Sequence, residues 1–297
     1  MTDAPAVVGA DGATAGLLHD GVGEPAEHSP RPYLHPVLTP GGRTVSGHQP
    51  SDHAWHWGLG IAISTIDVTG QDHPVNLWGG PTYIRDEGYL QLPNNGSQRE
   101  LSRTVTGDGI VQHLSWHAAD GGRFLTEQRD WHTRTVVAGG VEWIRTTVRS
   151  RWVNDTAAHL VFGSPTTSGR PGAGYGGFFL RLAPDFDGAE VLVPDRSGPG
   201  GAAVVEESEA MGTAGPWLAL RSEEASVLMV AAAQNPRDPT PWFVRASGTP
   251  MLCAAPFFHE TYELAAGGVV EWSWSLLTTD GAAADAAIGA VAVLERP

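Results

Sequence analysis

The sequence predicts an all-β fold, a large antiparallel β-sandwich with a short C-terminal helix. Short apolar and aromatic runs recur along most of the 297 residues, each bounded by glycine, proline or aspartate. The 38 glycines and 22 prolines are spread along the chain, as expected where turns join many short strands. Helical spacing is clear only near the C-terminus. Many strands with almost no helix favour two packed sheets.

The strand predictions depend on alternation of apolar and polar residues. In VVEWSWSLLTT (269–279), Val270, Trp272 and Trp274 point to one face, while Glu271 and Ser273 point to the other. Such a strand buries one face, so we expect it to lie against a core. Comparable runs occupy residues 58–68, 110–118, 123–137, 141–153, 177–183, 217–221 and 226–233.

The C-terminal segment AAADAAIGAVAVLER is the predicted helix. Ile288, Val291 and Leu294 recur at spacings that place them on one helix face. Asp280 or a neighbouring residue is the predicted N-cap, because a short polar side chain can accept a hydrogen bond from the first turn.

The chain is predicted to form one domain after a leader. Residues 1–30 are rich in alanine, glycine, aspartate and proline, which indicates a flexible N-terminal leader. Residues 31–297 contain no internal repeat and no linker-like change in composition. They are therefore predicted to form a single β-sandwich domain.

Charge and cysteine content narrow the classes of partner and site. The net charge of −15 disfavours nucleic acid and anionic membrane surfaces as partners. No apolar run approaches the roughly 20 residues that cross a bilayer, and no signal peptide is visible, so we expect a cytoplasmic protein. The single cysteine, Cys253, excludes an intramolecular disulfide and a cysteine-cluster metal site. No cofactor is predicted.

The stretch HQPSDHAWHWGLGIA (48–62) is the densest group of chemically active residues. His48, His53 and His56 could converge on a metal ion, although no HExxH pattern accompanies them. The histidines could instead serve as acid–base or hydrogen-bonding groups, or only satisfy backbone groups of a loop. Asp52 could orient the imidazole of His53 or cap the turn after Pro50.

Aromatic residues lie within this stretch and soon after it. Trp55, Trp78 and Tyr83 are candidates for stacking on a sugar ring, with core packing as the alternative for each. Trp78 and Tyr83 belong to NLWGGPTYIRDEGYLQLPNNG (76–96), which is predicted to be a long functional loop rather than a pair of strands.

Candidate charged groups lie further along the chain. Glu127 and Arg129 alternate onto one strand face, where they could form a surface ion pair or belong to a concave polar site. Glu260 follows His259 in APFFHETYEL, either as an acid–base pair or as solvated loop residues. Arg181 faces opposite to its leucine neighbours and could project into a pocket.

Two loop-like stretches contain glycine or proline. AAQNPRDPTPWFVRA (232–246) is predicted to be an ordered proline-rich loop with Asn235, Trp242 and Arg245. GAGYGG leads into a strand and lacks a GKS/T sequence, which argues against a phosphate-binding loop.

The ordered set of motifs resembles the PmoA-like family of uncharacterised proteins. The resemblance is carried by the block from SPRPYLHP to WHWGLGIA, then NLWGG, GGFFLRLA, AAQNPRDPTPWFVRASG and APFFHETYEL, and covers roughly residues 29–280. The family is named after a membrane-bound methane oxygenase, whereas this sequence contains no membrane span.

The resemblance implies a β-supersandwich similar to galactose-mutarotase-like proteins, in a setting of sugar catabolism beside sugar oxidoreductases. Members typically carry a D-H-x-H-H block. Asp52, His53 and His56 match it here, and Trp55 stands where members have histidine, which favours a sugar-stacking floor over a three-histidine metal site. Mutarotase-like enzymes pair a carboxylate base with a histidine acid.

We therefore predict a carbohydrate-active enzyme that acts on a sugar or glycoside near the anomeric centre, as an epimerase, lyase or hydrolase. The alternatives are a non-catalytic sugar-binding protein that partners a sugar oxidoreductase, and a histidine-ligated metalloenzyme. The sequence specifies no oligomeric state. The predicted catalytic residues are His53 and His56, with Glu127 or Glu260 as carboxylate. The predicted substrate-binding residues are Arg31, His48, Asp52, Trp55, Trp78, Tyr83, Arg181, Asn235 and Trp242.

Overall fold

A computed structural model describes residues 4–195 and 200–296 and contains two large antiparallel sheets that pack face to face. The predicted fold class is confirmed, because strands dominate these residues and the longest helix is short and C-terminal. No helix among the described residues is long and apolar enough to span a membrane.

The first sheet has eight strands. In spatial order they are β1 (Ala6–Val8), β2 (Thr14–His19), β3 (Tyr33–Val37), β4 (Leu59–Ile63), β13 (Gly176–Arg181), β20 (Met251–Ala254), β19 (Thr240–Arg245) and β16 (Ala214–Gly215).

The second sheet has nine strands. In spatial order they are β15 (Ala202–Val205), β14 (Glu190–Pro194), β17 (Trp217–Arg221), β18 (Ala225–Ala231), β22 (Val269–Asp280), β11 (Val141–Asn154), β10 (Arg123–Ala138), β9 (Gly109–His117) and β8 (Ser97–Val105).

Smaller elements complete the fold. A three-stranded sheet contains β21 (Tyr262–Leu264), β12 (Leu160–Gly163) and β5 (Thr65–Asp67), and a hairpin pairs β6 (Thr82–Ile84) with β7 (Gly88–Leu90). The helices are α1 (Glu207–Ala210) and α2 (Asp285–Glu295), with 3₁₀ turns at Ala26–His28 and Pro184–Phe186.

The main core lies between the two large sheets and is rich in tryptophan. Trp272 and Trp274 on β22 are 1% exposed, whereas Glu271 is exposed and Ser273, between the two tryptophans, is half-buried, which confirms the predicted alternation over these residues. Phe178 of the facing sheet stacks on Trp274 with ring centroids 5.5 Å apart. Aromatic packing of this kind joins the two sheets.

A second apolar layer covers the outer face of the eight-stranded sheet. Phe179, Phe243 and Met251 point away from the main core because each neighbours a core-facing residue on its strand. The side chains of Trp78 and Phe258, from loops, pack against this layer. The eight-stranded sheet is therefore buried on both faces in this region, and loops build a surface above it.

Glu127 and Arg129 form an ion pair in the main core and not at the surface, which corrects one of the two interpretations above. Both side chains are 0% exposed, with Arg129 Nε 2.7 Å from Glu127 Oε1. Ser150 donates a hydrogen bond to Glu127, and Arg129 donates one to Gln98, whose amide donates in turn to the carbonyl of Ile61 in the other sheet. Buried charges persist only with such partners.

The N-terminal residues differ from the predicted flexible leader. Strands β1 and β2 pair with each other, and β2 pairs with β3 in the eight-stranded sheet. Val7, Ala15 and Leu18 are fully buried. Their apolar contacts fix a segment whose small residues and glycines indicated a loose chain.

Further local predictions are corrected. The helix α2 begins after Ala284, whose side chain cannot accept a hydrogen bond, and Asp280 instead accepts hydrogen bonds from Thr39 and from the backbone of Gly41. Ile288 and Val291 are buried as predicted, whereas Leu294 is 57% exposed. The stretch 76–96 contains the β6–β7 hairpin rather than loop alone, and residues 232–246 end in strand β19.

Candidate functional site

A cavity of about 420 Å³ lies on the outer face of the eight-stranded sheet, beneath the loops that cover it. Its volume falls in the range of small-molecule sites. Three loop segments, around residues 53–56, 78–81 and 170–175, form its walls, and strands β19 and β20 contribute its floor. Its larger lining side chains are His53, Trp55, His56, Trp78, Tyr89, Arg170, Tyr175, Phe243, Arg245 and Met251.

Two consecutive tight turns place His53 and His56 side by side. The backbone N–H of His53 donates to Pro50, and that of His56 donates to His53. Pro50 favours the start of such a turn because its φ is fixed. The two imidazole rings stack with centroids 4.7 Å apart.

His53 and Asp52 form a hydrogen-bonded pair. Asp52 Oδ2 lies 2.8 Å from His53 Nδ1. Because an ionised carboxylate only accepts hydrogen bonds, Nδ1 carries the proton and Nε2 is left as an acceptor. The hydrogen bond from His53 holds the pKa of Asp52 below its usual value. This arrangement makes Nε2 of His53 a proton acceptor with an oriented ring.

His56 lies deeper and is neutral. Its side chain is 1% exposed, and neither ring nitrogen has a hydrogen-bond partner in the protein. Burial lowers its pKa well below 6.5, and interactions with His53 and with the positive Arg181, Arg31 and Arg245 act in the same direction. A buried imidazole with both nitrogens unpaired is rare in proteins, so this ring offers one donor and one acceptor to a ligand.

Trp55 is seated against two glycines. A Cβ on Gly79 would lie 2.5 Å from Trp55 Cβ, and a Cβ on Gly80 would lie 2.5 Å from the indole atom Cε2. Both glycines have positive φ, which favours glycine at each position. Asn76 fixes this turn by accepting hydrogen bonds from the backbone of Trp78 and Gly79.

Arg31 supports the cavity wall that contains Trp55. It is 2% exposed, and its guanidinium donates to the carbonyls of His28, Ser29 and Trp55. It also lies over the ring of Trp57, 4.7 Å from the centroid. Burial lowers the pKa of Arg31 to about 9, so the group stays protonated at neutral pH. Arg31 is thus a positioning residue for Trp55 and not a wall of the cavity.

A hydrogen-bonded chain of Arg170, Tyr89 and Tyr175 forms another wall. Arg170 donates to the hydroxyl of Tyr89 and lies 4.7 Å from the centre of that ring. The hydroxyls of Tyr89 and Tyr175 are 3.0 Å apart. Burial raises the pKa of Tyr175 well above its usual value, so this phenol remains a donor.

The floor of the cavity carries Arg245 beside Phe243. Residues in register across the sheet put Arg181 on β13, Met251 on β20 and Arg245 on β19 in one row on the outer face. Arg245 lines the cavity with its guanidinium 5.9 Å from the Phe243 ring centre. Arg181 is 7% exposed, and its Nη1 has no partner in the protein.

The described residues that line the cavity include positively charged side chains and no negatively charged ones. Among the described residues that line it, ionisable groups are two arginines, two histidines and two tyrosines, with no aspartate or glutamate. This contrasts with the net charge of −15 for the whole chain. A cleft with one sign of charge concentrates ligands of the opposite sign.

Some of the predicted site residues meet at this cavity. His53, His56, Trp55 and Trp78 line it, and Asp52 supports His53. These five residues come from the stretches 48–62 and 76–96. They are adjacent because the turn at Gly79 and Gly80 packs directly on Trp55.

The two predicted carboxylates do not reach the cavity. Glu127 is enclosed in the main core, so a substrate cannot contact it. Glu260 has a side chain that is 74% exposed and pairs with Arg237 at 2.7 Å. Neither lines the cavity, which corrects the prediction of a glutamate beside His53 and His56.

Several predicted binding residues have structural partners elsewhere. His48 stacks on Tyr33 and hydrogen-bonds its hydroxyl, while Tyr83 packs on Tyr89 within the hairpin. Asn235 and Trp242 lie outside the cavity. The amide of Asn235 is bonded to the backbone of Ser273, and Trp242 is 1% exposed in the main core, donating to Gly215.

The three-histidine metal interpretation is also corrected. His48 lies in a stack with Tyr33 and His35, away from the His53–His56 pair. Across the described residues 4–195 and 200–296, no group of three or more histidine, cysteine, aspartate or glutamate side chains could hold a metal ion.

Sequence reasoning missed most of the positive and phenolic groups at the cavity. Arg245 was present in the stretch 232–246 but was not assigned a role, although strand alternation puts it opposite the core-facing Trp242. Tyr175 lies within GAGYGG, and Arg170 lies two residues before it, where the glycines indicated only a turn. Tyr89 pairs with Tyr83 across the β6–β7 hairpin. Interpreting residues 76–96 as a hairpin rather than a loop would have connected it with Tyr83.

The sequence matches the profile of a family of unknown function (DUF6807) over residues 6–293, so the chain belongs to that family. No curated protein matches it.

Solved structures offer distant likenesses. An α-galactosidase from Lactobacillus brevis has a TM-score of 0.37 and 9% identity over 81% of this chain and 34% of its own. A glycoside hydrolase family 97 enzyme from Pseudoalteromonas sp. strain K8 has a TM-score of 0.37 and 7% identity over 92% and 35%. A galactose mutarotase related enzyme from Lactobacillus acidophilus has a TM-score of 0.33 and 9% identity over 87% and 95%. The chain thus spans about a third of the first two proteins.

Proposed function

We propose that this member of the DUF6807 family is an enzyme that acts on a sugar or sugar derivative by proton transfer, with His53 as general base. The observation that carries the proposal is the Asp52–His53 pair at a cavity of monosaccharide to disaccharide size. The carboxylate fixes the tautomer, leaves Nε2 as acceptor, and stabilises the imidazolium that forms when a proton is taken.

The walls of the cavity suit a sugar. Trp55 and Trp78 offer aromatic faces and edges, which pack against the C–H groups of a pyranose ring. The unpaired ring nitrogens of His56 offer one donor and one acceptor, which suit two different hydroxyl groups of a sugar. Tyr175 stays protonated and can donate a hydrogen bond to an oxygen that gains charge during the reaction.

Epimerisation or elimination fits the cavity better than hydrolysis. Glycosidases generally use two carboxylates about 5–9.5 Å apart. Among the described residues that line this cavity there is no carboxylate, and Asp52 is engaged behind His53. A single histidine base can instead remove a proton from a hydroxyl or an acidic C–H of the substrate, with a phenol as the hydrogen-bond donor.

The test is a screen of sugars, glycosides, sugar acids and 3-keto-glycosides by NMR in D₂O. Anomer exchange, deuterium incorporation at carbon and new unsaturated signals separate epimerisation from elimination. For an active substrate, we expect His53→Gln to reduce turnover by about 100-fold or more. His159→Gln is the matched control, because His159 is an exposed histidine that pairs with Glu263 far from the cavity. Full turnover by His53→Gln would disprove the proposal.

A non-catalytic sugar-binding role is the second candidate, favoured by the lack of a carboxylate among the described cavity residues. Calorimetric binding of a sugar without any turnover across the screen would support it. The resemblance to PmoA-like proteins and the cytoplasmic location remain predictions within the same proposal.

A further inference from the structure

We propose that the ligand of this cavity is anionic, a sugar that carries a carboxylate or phosphate group held by Arg170 and Arg245. The inference rests on the proposed function for the sugar part of the ligand. The anionic part rests on separate observations about charge.

The first observation is that the cavity arginines lack acidic partners. The chain contains no lysine, so its positive side chains are arginines and histidines. Nine of the 17 arginines among the described residues form an ion pair with an aspartate or glutamate: Arg43, Arg103, Arg123, Arg129, Arg145, Arg151, Arg221, Arg237 and Arg296. Among the same described residues, Arg170 and Arg245 have no carboxylate within ion-pair distance.

The second observation is that both guanidinium groups are oriented by aromatic rings. Arg170 packs on the Tyr89 ring and donates one hydrogen bond to the Tyr89 hydroxyl. The other guanidinium N–H groups of Arg170 have no hydrogen-bond partner among the described residues. Arg245 lies 5.9 Å from the centre of the Phe243 ring. A stacked guanidinium loses little freedom on binding and presents a planar fork that matches carboxylate and phosphate oxygens.

The third observation is the accumulation of positive charge around a neutral histidine. His53, Arg181, Arg31 and Arg245 all disfavour a proton on His56. Arg181 also keeps a buried N–H without a partner. In a chain of net charge −15, Arg170 and Arg245 line one cavity that has no carboxylate among its described lining residues. An anion in the cavity would be attracted by both guanidinium groups.

The experiment compares four probes by NMR titration: glucuronate, its neutral methyl ester, glucose 6-phosphate and glucose. We expect glucuronate or glucose 6-phosphate to bind at least about tenfold more tightly than glucose, since a hydrogen bond to a charged group contributes more than a neutral one. The methyl ester isolates the carboxylate charge. The two anionic probes distinguish a carboxylate ligand from a phosphate ligand.

Arg170→Gln and Arg245→Gln should each remove most of the preference for the anionic probe, and Arg245→Lys should restore part of it. Arg99→Gln is the matched control, because Arg99 is exposed on β8 and lies outside the cavity. Urea unfolding confirms that each variant is folded. With the unaltered protein, the affinity for the anionic probe should also fall as NaCl is raised.

Equal binding of the charged and neutral probes, or no binding of either anion, would overturn the inference. So would a loss of preference in Arg99→Gln as large as in Arg245→Gln. Failure of the proposed function is seen separately, as full turnover by His53→Gln. An enzyme that turns over neutral sugars and ignores charge would keep the proposed function and lose this inference.

Discussion

Two arginines on strands of this protein have opposite environments. Arg129 lies on β10 between the polar residues Gln128 and Asp130, and Arg245 lies on β19 after the apolar Val244. Arg129 points into the core between the sheets, where it pairs with Glu127 and donates to Gln98, while its Nη1 has no partner in the protein. Arg245 points to the outer face of the other sheet, where among the described residues no carboxylate pairs with it.

The difference indicates which charges stabilise the fold and which are available to a ligand. A buried charge needs partners supplied by the same chain, so its contribution is complete before any ligand binds. A charge oriented by an aromatic ring but lacking a counter-charge can still gain one.

Removing the counter-charge in the core should have the largest effect on stability. Glu127→Gln leaves the guanidinium of Arg129 buried without an acidic partner. We expect the free energy of unfolding to fall by about 3–5 kcal/mol, as measured by urea denaturation. If the variant is folded, its ligand affinity should be unchanged. A folded variant of normal stability that has lost turnover would mean that Glu127 acts at the site after all.

Displacing Trp55 should have the next largest effect. Gly80→Ala puts a Cβ 2.5 Å from the indole at a residue with φ of +64°. Gly121→Ala is the matched control, because its φ is +87° and no atom lies within 4 Å of the added Cβ. We expect both variants to lose about 1–2 kcal/mol from backbone strain, and only Gly80→Ala to lose ligand affinity. Equal ligand affinities of the two variants, measured by calorimetry, would show that Trp55 does not contribute to binding.

Acidification should lower the free energy of unfolding through partly buried histidines that lack an acidic partner. Burial and the neighbouring His35 and His19 lower the pKa of His48 from 6.5 to about 4. The unfolded chain therefore binds more protons than the folded protein between these values, so stability is lost as the pH falls from 6.5 towards 4. As the pH is lowered from 7 to 5, the urea midpoint should fall less steeply in His48→Gln than in the unaltered protein. The same pH dependence in both proteins would show that His48 is not the source of the effect.

Removing an exposed counter-charge should have the smallest effect. Glu260→Gln breaks the pair with Arg237 at the surface, where the Glu260 side chain is 74% exposed. We expect a loss below about 1 kcal/mol in the free energy of unfolding and no change in turnover. A large loss of turnover would return Glu260 to the catalytic role that its sequence position suggested.

The strand content of the fold was predictable because alternation is a local property. The face of β22, for example, follows directly from the order of Val270 to Leu276. The participation of residues 6–8 and 14–19 was not predictable from their composition. Their burial depends on pairing with β3, and pairing partners distant in sequence leave no local signal.

The candidate site was predictable where its residues are close in sequence. His53 and His56 meet through two turns, and Asp52 is adjacent to its partner. Arg170 and Arg245 come from distant segments whose approach depends on the order of strands in the sheet. The wrong assignment of Glu127 has the same origin, because alternation gives the face of a strand but not whether that face meets solvent or another sheet.

The clamp between Arg31 and the carbonyl of Trp55 has a consequence for selectivity. A wall that is already fixed loses little conformational entropy when a ligand binds, so the binding free energy is not spent on ordering the loop. The same rigidity prevents the wall from adjusting to a different stereoisomer. We therefore expect sugars that differ in the orientation of a single hydroxyl to be separated by fit alone, with little induced rearrangement of the Trp55 loop.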